Sequence, residues 1–353
     1  MKHIKLFYPG LKPWVICAAA AVLPLFSLAQ DVHFSQQTES PLLLNPANAG
    51  LSHKLKAIVN FKDQWNSVSS TPYRTFNVSA DMIYLKKSNG SHLGMGLDVF
   101  SDKAGEGQMG TTTGQLHLSG VLAADENNLI SLGLYGGFGQ RSLTYGNLNW
   151  DKQYDGMSFD ATRPTGELQN FGNHTYADFG AGLAWFYGKG HGTLSSNDGA
   201  SFTAGFALQH INKPVYSYYG AGDVRLPMKF VAHGNAEIGL KNRNLVLEPS
   251  YLVMIQGGHH EISAGMMFKY LMQSASRYTD RKKPAAFSLG GYYRFADALV
   301  AAAAYEYSSF RLGLSYDINL SDLKTASKAR GGFEVSLRYV IPNTKGRSSA
   351  LID

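Results

Sequence analysis

The 353-residue sequence carries 32 basic against 26 acidic residues, and Lys2, Lys5 and Lys12, with no acid, fall in its first 29 positions, so the remainder balances at 29 to 26 and shows no nucleic-acid footprint. Its one cysteine, Cys17, lies in the same N-terminal stretch, so the chain beyond residue 29 has no thiol for a disulfide, a metal or a cluster. Charge is sparse at 16%, aromatics reach 12%, and the 38 glycines come without any long apolar helix, a balance that favours a β-rich chain.

In chain order the first element is an export signal. The three lysines precede an uncharged apolar run over 14–28, interrupted by Pro24, and Ser27 and Ala29 flank Leu28 ahead of Gln30. The pattern predicts a secretory peptide over 1–29, cut between Ala29 and Gln30. The run is too short to span a bilayer comfortably, and with no cysteine after the cut, lipid attachment there is excluded. Removing 29 residues leaves 324, enough for one large domain or two ordinary ones.

Residues 30–53 show little alternation, and Asn45-Pro46 with Gly50 predicts a turn. This periplasmic segment is expected either to plug a barrel or to lie beneath it as a docking surface, with Asn45 and Pro46 as candidate partner contacts.

From residue 54 onward the sequence alternates with a period of two in segments of about ten residues. In the clearest, Phe310, Leu312, Leu314, Tyr316, Ile318 and Leu320 interleave with Arg311, Gly313, Ser315, Asp317 and Asn319. Fourteen strands are predicted: 54–62, 74–85, 92–101, 111–123, 128–140, 174–187, 201–211, 228–240, 244–256, 259–272, 285–295, 298–307, 310–320 and 331–340. No segment after the signal is long and apolar enough for a transmembrane helix. The architecture predicted is an all-β, antiparallel outer-membrane β-barrel over 54–340, with both termini periplasmic and a tail over 341–353. Such a barrel pairs every backbone group within the sheet, where lipid offers no partner. Trp185, Tyr187, Tyr293, Phe295, Tyr305, Tyr307 and Tyr339 fall near strand ends, where rings lie at the lipid boundary.

With the N-terminus periplasmic, the two longest connections, 141–173 and 212–227, face outside, and most opposite turns are short. Two inner turns, 188–200 and 273–284, break that asymmetry. The second contains Arg277, Arg281, Lys282 and Lys283 with Asp280 as its one acid, a solvated basic loop or a docking site for an acidic periplasmic partner. The predicted inward faces carry Asp81, Asp98, Glu237, Glu248, Asp317 and Glu334 against Lys269, Arg294, Arg311 and Arg338, which implies a lumen partly filled by paired side chains rather than a strongly ion-selective pore.

No catalytic constellation, cofactor site or metal site emerges. His259 and His260 are adjacent and point to opposite faces of a strand, a poor metal pair that reads better as turn residues. Gly133, Gly136, Gly137 and Gly139 have no helix after them to make a phosphate loop; they read as room for aromatic neighbours. His233 shares a face with Asn235 and Glu237, as in a barrel lipase, but spacing places no serine beside them. The chain is read as no enzyme.

The stretch Gln30-Asp31-Val32-His33-Phe34-Ser35-Gln36, then Leu44-Asn45-Pro46-Ala47-Asn48-Ala49-Gly50, then Gln64-Trp65, Pro72 and Ser79-Ala80-Asp81, resembles the opening of the PorP/SprF family of type IX secretion system membrane proteins. Tyr293-Arg294-Phe295-Ala296-Asp297-Ala298, Arg311-Leu312-Gly313-Leu314-Ser315-Tyr316-Asp317 and the close around Gly332 and Tyr339 are similar to its C-terminal signature. Thr71 before Pro72, and Ala303 with Ala304, depart from the family's glycines. The resemblance implies a component of the secretion and gliding apparatus in the outer membrane of Bacteroidota, embedded in outer-membrane lipid. It implies as partners the periplasmic ring components of that apparatus and the C-terminal domain of a secreted, adhesin-like surface protein. The alternative from a different class is a passive solute transporter.

Overall fold

The computed structural model describes residues 31–66, 70–144, 146, 148–166, 173–189, 199–217, 224–273, 283–321 and 327–343. Fourteen strands run among them: β1 (His53–Gln64), β2 (Tyr73–Lys86), β3 (His92–Ala104), β4 (Met109–Ala123), β5 (Asn128–Ser142), β6 (His174–Lys189) and β7 (Ala200–Gln209), then β8 (Lys229–Gly239), β9 (Leu245–Gln256), β10 (His259–Gln273), β11 (Ala285–Arg294), β12 (Ala298–Tyr307), β13 (Phe310–Asn319) and β14 (Arg330–Pro342). Each pairs antiparallel with its neighbours in sequence, and β1 pairs with β14 to close the barrel. Closure leaves no strand edge, the condition for crossing lipid on strands. No helix among the described residues is long and apolar enough to cross a membrane.

The alternation is inverted relative to a water-soluble protein. On β2 the outward Phe76, Val78 and Met82 are exposed, whereas the inward Thr75, Asn77, Ser79 and Asp81 are each 3% exposed or less. The same holds on β13, where Leu312, Leu314 and Tyr316 face out and Arg311, Ser315 and Asp317 are buried. The apolar belt thus faces lipid and the polar rows face the lumen. Rings gather at the strand ends: Tyr293 meets Phe295 edge-on at 4.9 Å and Phe310 meets Tyr339 at 4.8 Å.

Strand direction defines two mouths. At the loop mouth β1 runs into β2, and both longest connections lie there. At the opposite, terminal mouth β1 begins and β14 ends. The strands therefore start and finish at one mouth, as an even count requires, but the chain ahead of β1 does not stay there. Asp31 lies at the loop mouth, where its amide bonds to Gln256 Oε1 at 3.0 Å and its carboxylate lies 2.7 Å from His210 Nε2. Residues 31–52 therefore traverse the lumen lengthwise to reach β1.

Candidate functional site: a lumen filled by its own chain

The traversing segment has no regular element longer than one turn: 3₁₀ turns at Gln37–Glu39 and Pro46–Asn48 flank a single α-turn at Pro41–Leu44. Prolines at the first position of the last two suit starts where no N–H is needed. So short a peptide leaves backbone groups unpaired, and the barrel wall supplies their partners. Glu334 of β14 accepts from the amides of Ser35 and Gln36. Gln209 donates to Leu43 O at 2.6 Å, Ser131 to Ala47 O at 2.7 Å and Ser119 to Ala49 O at 2.6 Å. Asp81 accepts from Gly50 N at 2.9 Å.

Asn45 is fully enclosed. It is 0% exposed, donates to Leu183 O at 2.8 Å, accepts from Ala47 N at 2.9 Å and lies 3.1 Å from His233 Nε2. His233, the one residue that invited a hydrolase reading, is thereby engaged by the segment. Asn45 and Pro46, expected as partner contacts, lie buried inside the barrel. Apolar anchoring is local: Leu44 packs with Ala207, Val231, Leu252 and Met254. At Gly133 a side chain would run into the backbone of Pro46 and Ala47, so this glycine answers to the segment. Gly136 and Gly139 do face aromatic side chains, Phe179 and Tyr176.

Two ionic networks fix the segment to the closing strands. Toward the loop mouth, Lys62 of β1 lies 2.9 Å from Glu334 of β14, Arg294 lies 2.8 Å from Asp317, and Ser35 Oγ donates to Asp317 at 2.7 Å. Toward the terminal mouth, Glu39 meets Arg311 and Arg338, each at 3.2 Å. Lys269, 2% exposed, lies 2.9 Å from Glu306, 3.3 Å from Glu248 and 3.8 Å from Glu237. Charges withdrawn from water are tolerated when each has such partners. The inward-facing charges anticipated from sequence are thus mostly paired; Glu39, Lys56, Lys62, Asp178, Lys229, Glu261 and Glu306 are added, and of these Glu39 alone lies off the strands.

At the loop mouth, Asp31 is gripped by His210 and, at 3.7 Å, by Lys229. Burial opposes ionisation of Asp31, yet those two cations hold its carboxyl below the usual range. Burial likewise works against charge on His210, but Asp31 and Asp178 raise its pKa to about 9. Beside them Arg141 stacks 3.7 Å over the ring of Tyr216, in the β7–β8 connection, and donates to Tyr216 O. The β5–β6 connection keeps a small exposed hairpin bridged at Tyr154 and Phe159, in which the Ser158 and Met157 amides hold the Asp155 carboxyl below its ordinary range.

A cavity of about 140 Å³ remains between the segment and the β7–β9 wall, reaching Ser52 and His53 at the terminal mouth. Among the described residues no cluster of three or more His, Cys, Asp or Glu suits a metal ion. His259 and His260 are the exposed first residues of β10, after a two-residue turn in which Gly257 and Gly258 both take positive φ. Ala29, Gln30, Arg277, Arg281 and Lys282 lie outside the described residues; Lys283 O accepts from Gln273 at 2.7 Å.

Among solved structures, the CymD monoaromatic hydrocarbon channel is 11% identical, with a TM-score of 0.45 over 89% of this chain and 94% of that one. The Pseudomonas putida toluene transporter TodX is 12% identical, TM-score 0.42, over 86% and 94%. Haemophilus ducreyi BamA lacking POTRA domains 1–3 is 12% identical, TM-score 0.42, over 82% and 70%. Such distant likenesses say nothing of what this chain binds. No curated protein matches it. The model of the family described as type IX secretion system membrane protein PorP/SprF matches residues 26–339. With that match spanning the lumen segment and all but the end of β14, the chain belongs to the PorP/SprF family of type IX secretion system membrane proteins and is a β-barrel of the outer membrane.

Proposed function

We propose that this protein is a plugged, non-conducting anchor of the type IX secretion and gliding apparatus, which supports secretion or surface attachment of adhesin-like cargo. It acts by binding: its mouths and connections hold the C-terminal domain of a secreted protein or subunits of the periplasmic ring. The observation that carries this reading is the occupied lumen. Residues 34–51 bond to β1, β2, β4, β5, β6, β7 and β14 alike, so the space that a solute transporter keeps open is taken by the chain itself. Family membership supports the apparatus, and the basic turn with Arg277, Arg281, Lys282 and Lys283 remains the proposed contact for an acidic ring subunit.

Two measurements test it. Purified full-length protein in a planar bilayer should pass no steady current; ohmic open-pore steps would restore the transporter reading. Deleting the gene should remove specific proteins from the cell surface, and an unchanged surface proteome would sink the secretion role.

A further inference from the structure

The terminal-mouth network holds more acidic groups than basic ones. Four carboxylates, Glu39, Glu237, Glu248 and Glu306, face three cations, Lys269, Arg311 and Arg338. Glu39 meets Arg311 and Arg338, each at 3.2 Å; Glu248 meets Lys269 and Arg311 at 3.3 Å; Glu306 meets all three cations. Glu237 has only Lys269, at 3.8 Å, the longest contact of that ammonium, and its side chain is 29% exposed against 3%, 11% and 12% for the others. Glu237 is therefore the carboxylate of the four with the weakest cation pairing, and it lines the cavity.

A second group in the same cavity lacks what Glu237 lacks. Gln37 is 4% exposed, its Nε2 is committed to Ser250 Oγ at 2.8 Å, and its Oε1 is buried with no donor. Three cations line the cavity as well: Lys56 is matched by Asp81 at 3.4 Å, Arg311 by Glu39, Glu248 and Glu306, and Arg338 by Glu39 and Glu306, while His53 Nδ1 is engaged by Ser52 Oγ at 2.8 Å. The cavity thus offers a carboxylate short of a cation and a carbonyl short of a donor, and it reaches the terminal mouth. An ammonium or guanidinium carries donors and no acceptor, and complements both. A carboxylate ligand would face Glu237 and Glu248, and a hard divalent cation would need six or more oxygens.

We infer that this cavity is a receptor for the cationic side chain of a partner polypeptide, a lysine or arginine inserted from the terminal mouth between Glu237 and Gln37. The inference rests on the docking role proposed above for the carrier of that side chain, and the site itself is tested apart from it. Full-length protein in detergent is titrated calorimetrically with Nα-acetyl-lysine N-methylamide and with its Nε-acetylated form. The amine should bind saturably in the millimolar range, with affinity lowered at least tenfold by Nε-acetylation and by Glu237→Gln, and lowered also by Gln37→Leu. Mobility of unboiled protein on gels reports folding of each variant; Glu237→Gln leaves Lys269 its two closer carboxylates, so it decides the matter where Gln37→Leu fails to fold. Absence of saturable heat with the wild type, or equal binding by Glu237→Gln or by the acetylated probe, overturns the site. Amine binding together with an unchanged surface proteome would keep the site and remove the secretion role, while loss of binding alone would do the reverse.

Discussion

Glu39 Oε1 lies 3.2 Å from Arg311 Nε deep in the lumen, joining a residue ahead of the first strand to the thirteenth. The same carboxylate reaches Arg338 of β14 at 3.2 Å, and the Glu39 carbonyl accepts from Asn60 of β1 at 2.7 Å. One residue of the lumen segment therefore touches both strands of the β1–β14 closure and the strand beside it. Removing one partner of a buried charge network leaves the others uncompensated, a loss of about 3 kcal/mol. Glu39→Ala should lower the temperature at which unboiled protein loses its compact gel mobility, with Glu39→Gln falling between. A transition equal to wild type would show that the segment does not hold the closure.

Gly133 controls how closely the segment approaches β5. A valine there drives its Cβ into the backbone of Pro46 and Ala47, a collision that cannot be relieved by a rotamer and costs roughly 1–3 kcal/mol. The barrel wall is continuous and the segment is not, so the segment should yield. Gly133→Val is expected to give current in planar bilayers where the wild type gives none, whereas Gly114→Val, whose Cβ meets nothing, should stay closed. A silent Gly133→Val channel would mean that the plug moves without opening a path.

The barrel was legible in the sequence because its information is local. Phe310 to Asn319 states its two faces in ten residues, and each strand pairs with its neighbour in the chain. Residues 31–52 were not legible in that way. Their partners lie as far away as Glu334 and Arg338, no period marks them, and Asn45-Pro46 announces a turn without saying that it is enclosed. Gly133 looked like its neighbours Gly136 and Gly139, since the residue that crowds it comes from outside the sheet. The inward charges were visible by parity on the strands, but the pairing of Lys62 with Glu334 needs the barrel closed.

The grip on Asp31 should depend on pH. His210 has its pKa raised from 6.5 to about 9, so its contribution is complete below 6.5 and is lost as pH rises through 9, an amount on the order of 3 kcal/mol. Asp31 has its pKa lowered, so its share is present above the ordinary carboxylate range and is lost in acid. With no cysteine beyond residue 17, a nitroxide on Val32→Cys reports the segment's outer end. The label should be immobilised at neutral pH and mobile at about pH 10, and His210→Gln should free it at neutral pH. A label equally immobile at both pH values would rule out the latch.

Three lumen serines separate the value of a bonded hydroxyl from that of a buried one. Ser119 and Ser131 donate to the Ala49 and Ala47 carbonyls of the segment, while Ser288, equally enclosed at 0% exposed, has a hydroxyl with no partner. Alanine at 119 or 131 leaves a buried carbonyl unpaired, at a cost of about 1–3 kcal/mol each. Alanine at 288 removes a desolvated hydroxyl that bonds to nothing, so it should be neutral or stabilising. Because the first two changes act on the segment rather than on the sheet, amide exchange in 47–51 should quicken in Ser119→Ala and Ser131→Ala while the strands stay protected. If Ser288→Ala destabilised as much as the other two, the bonds to the segment would not be what holds it, and packing around Leu44 and Ala47 would have to carry that role instead.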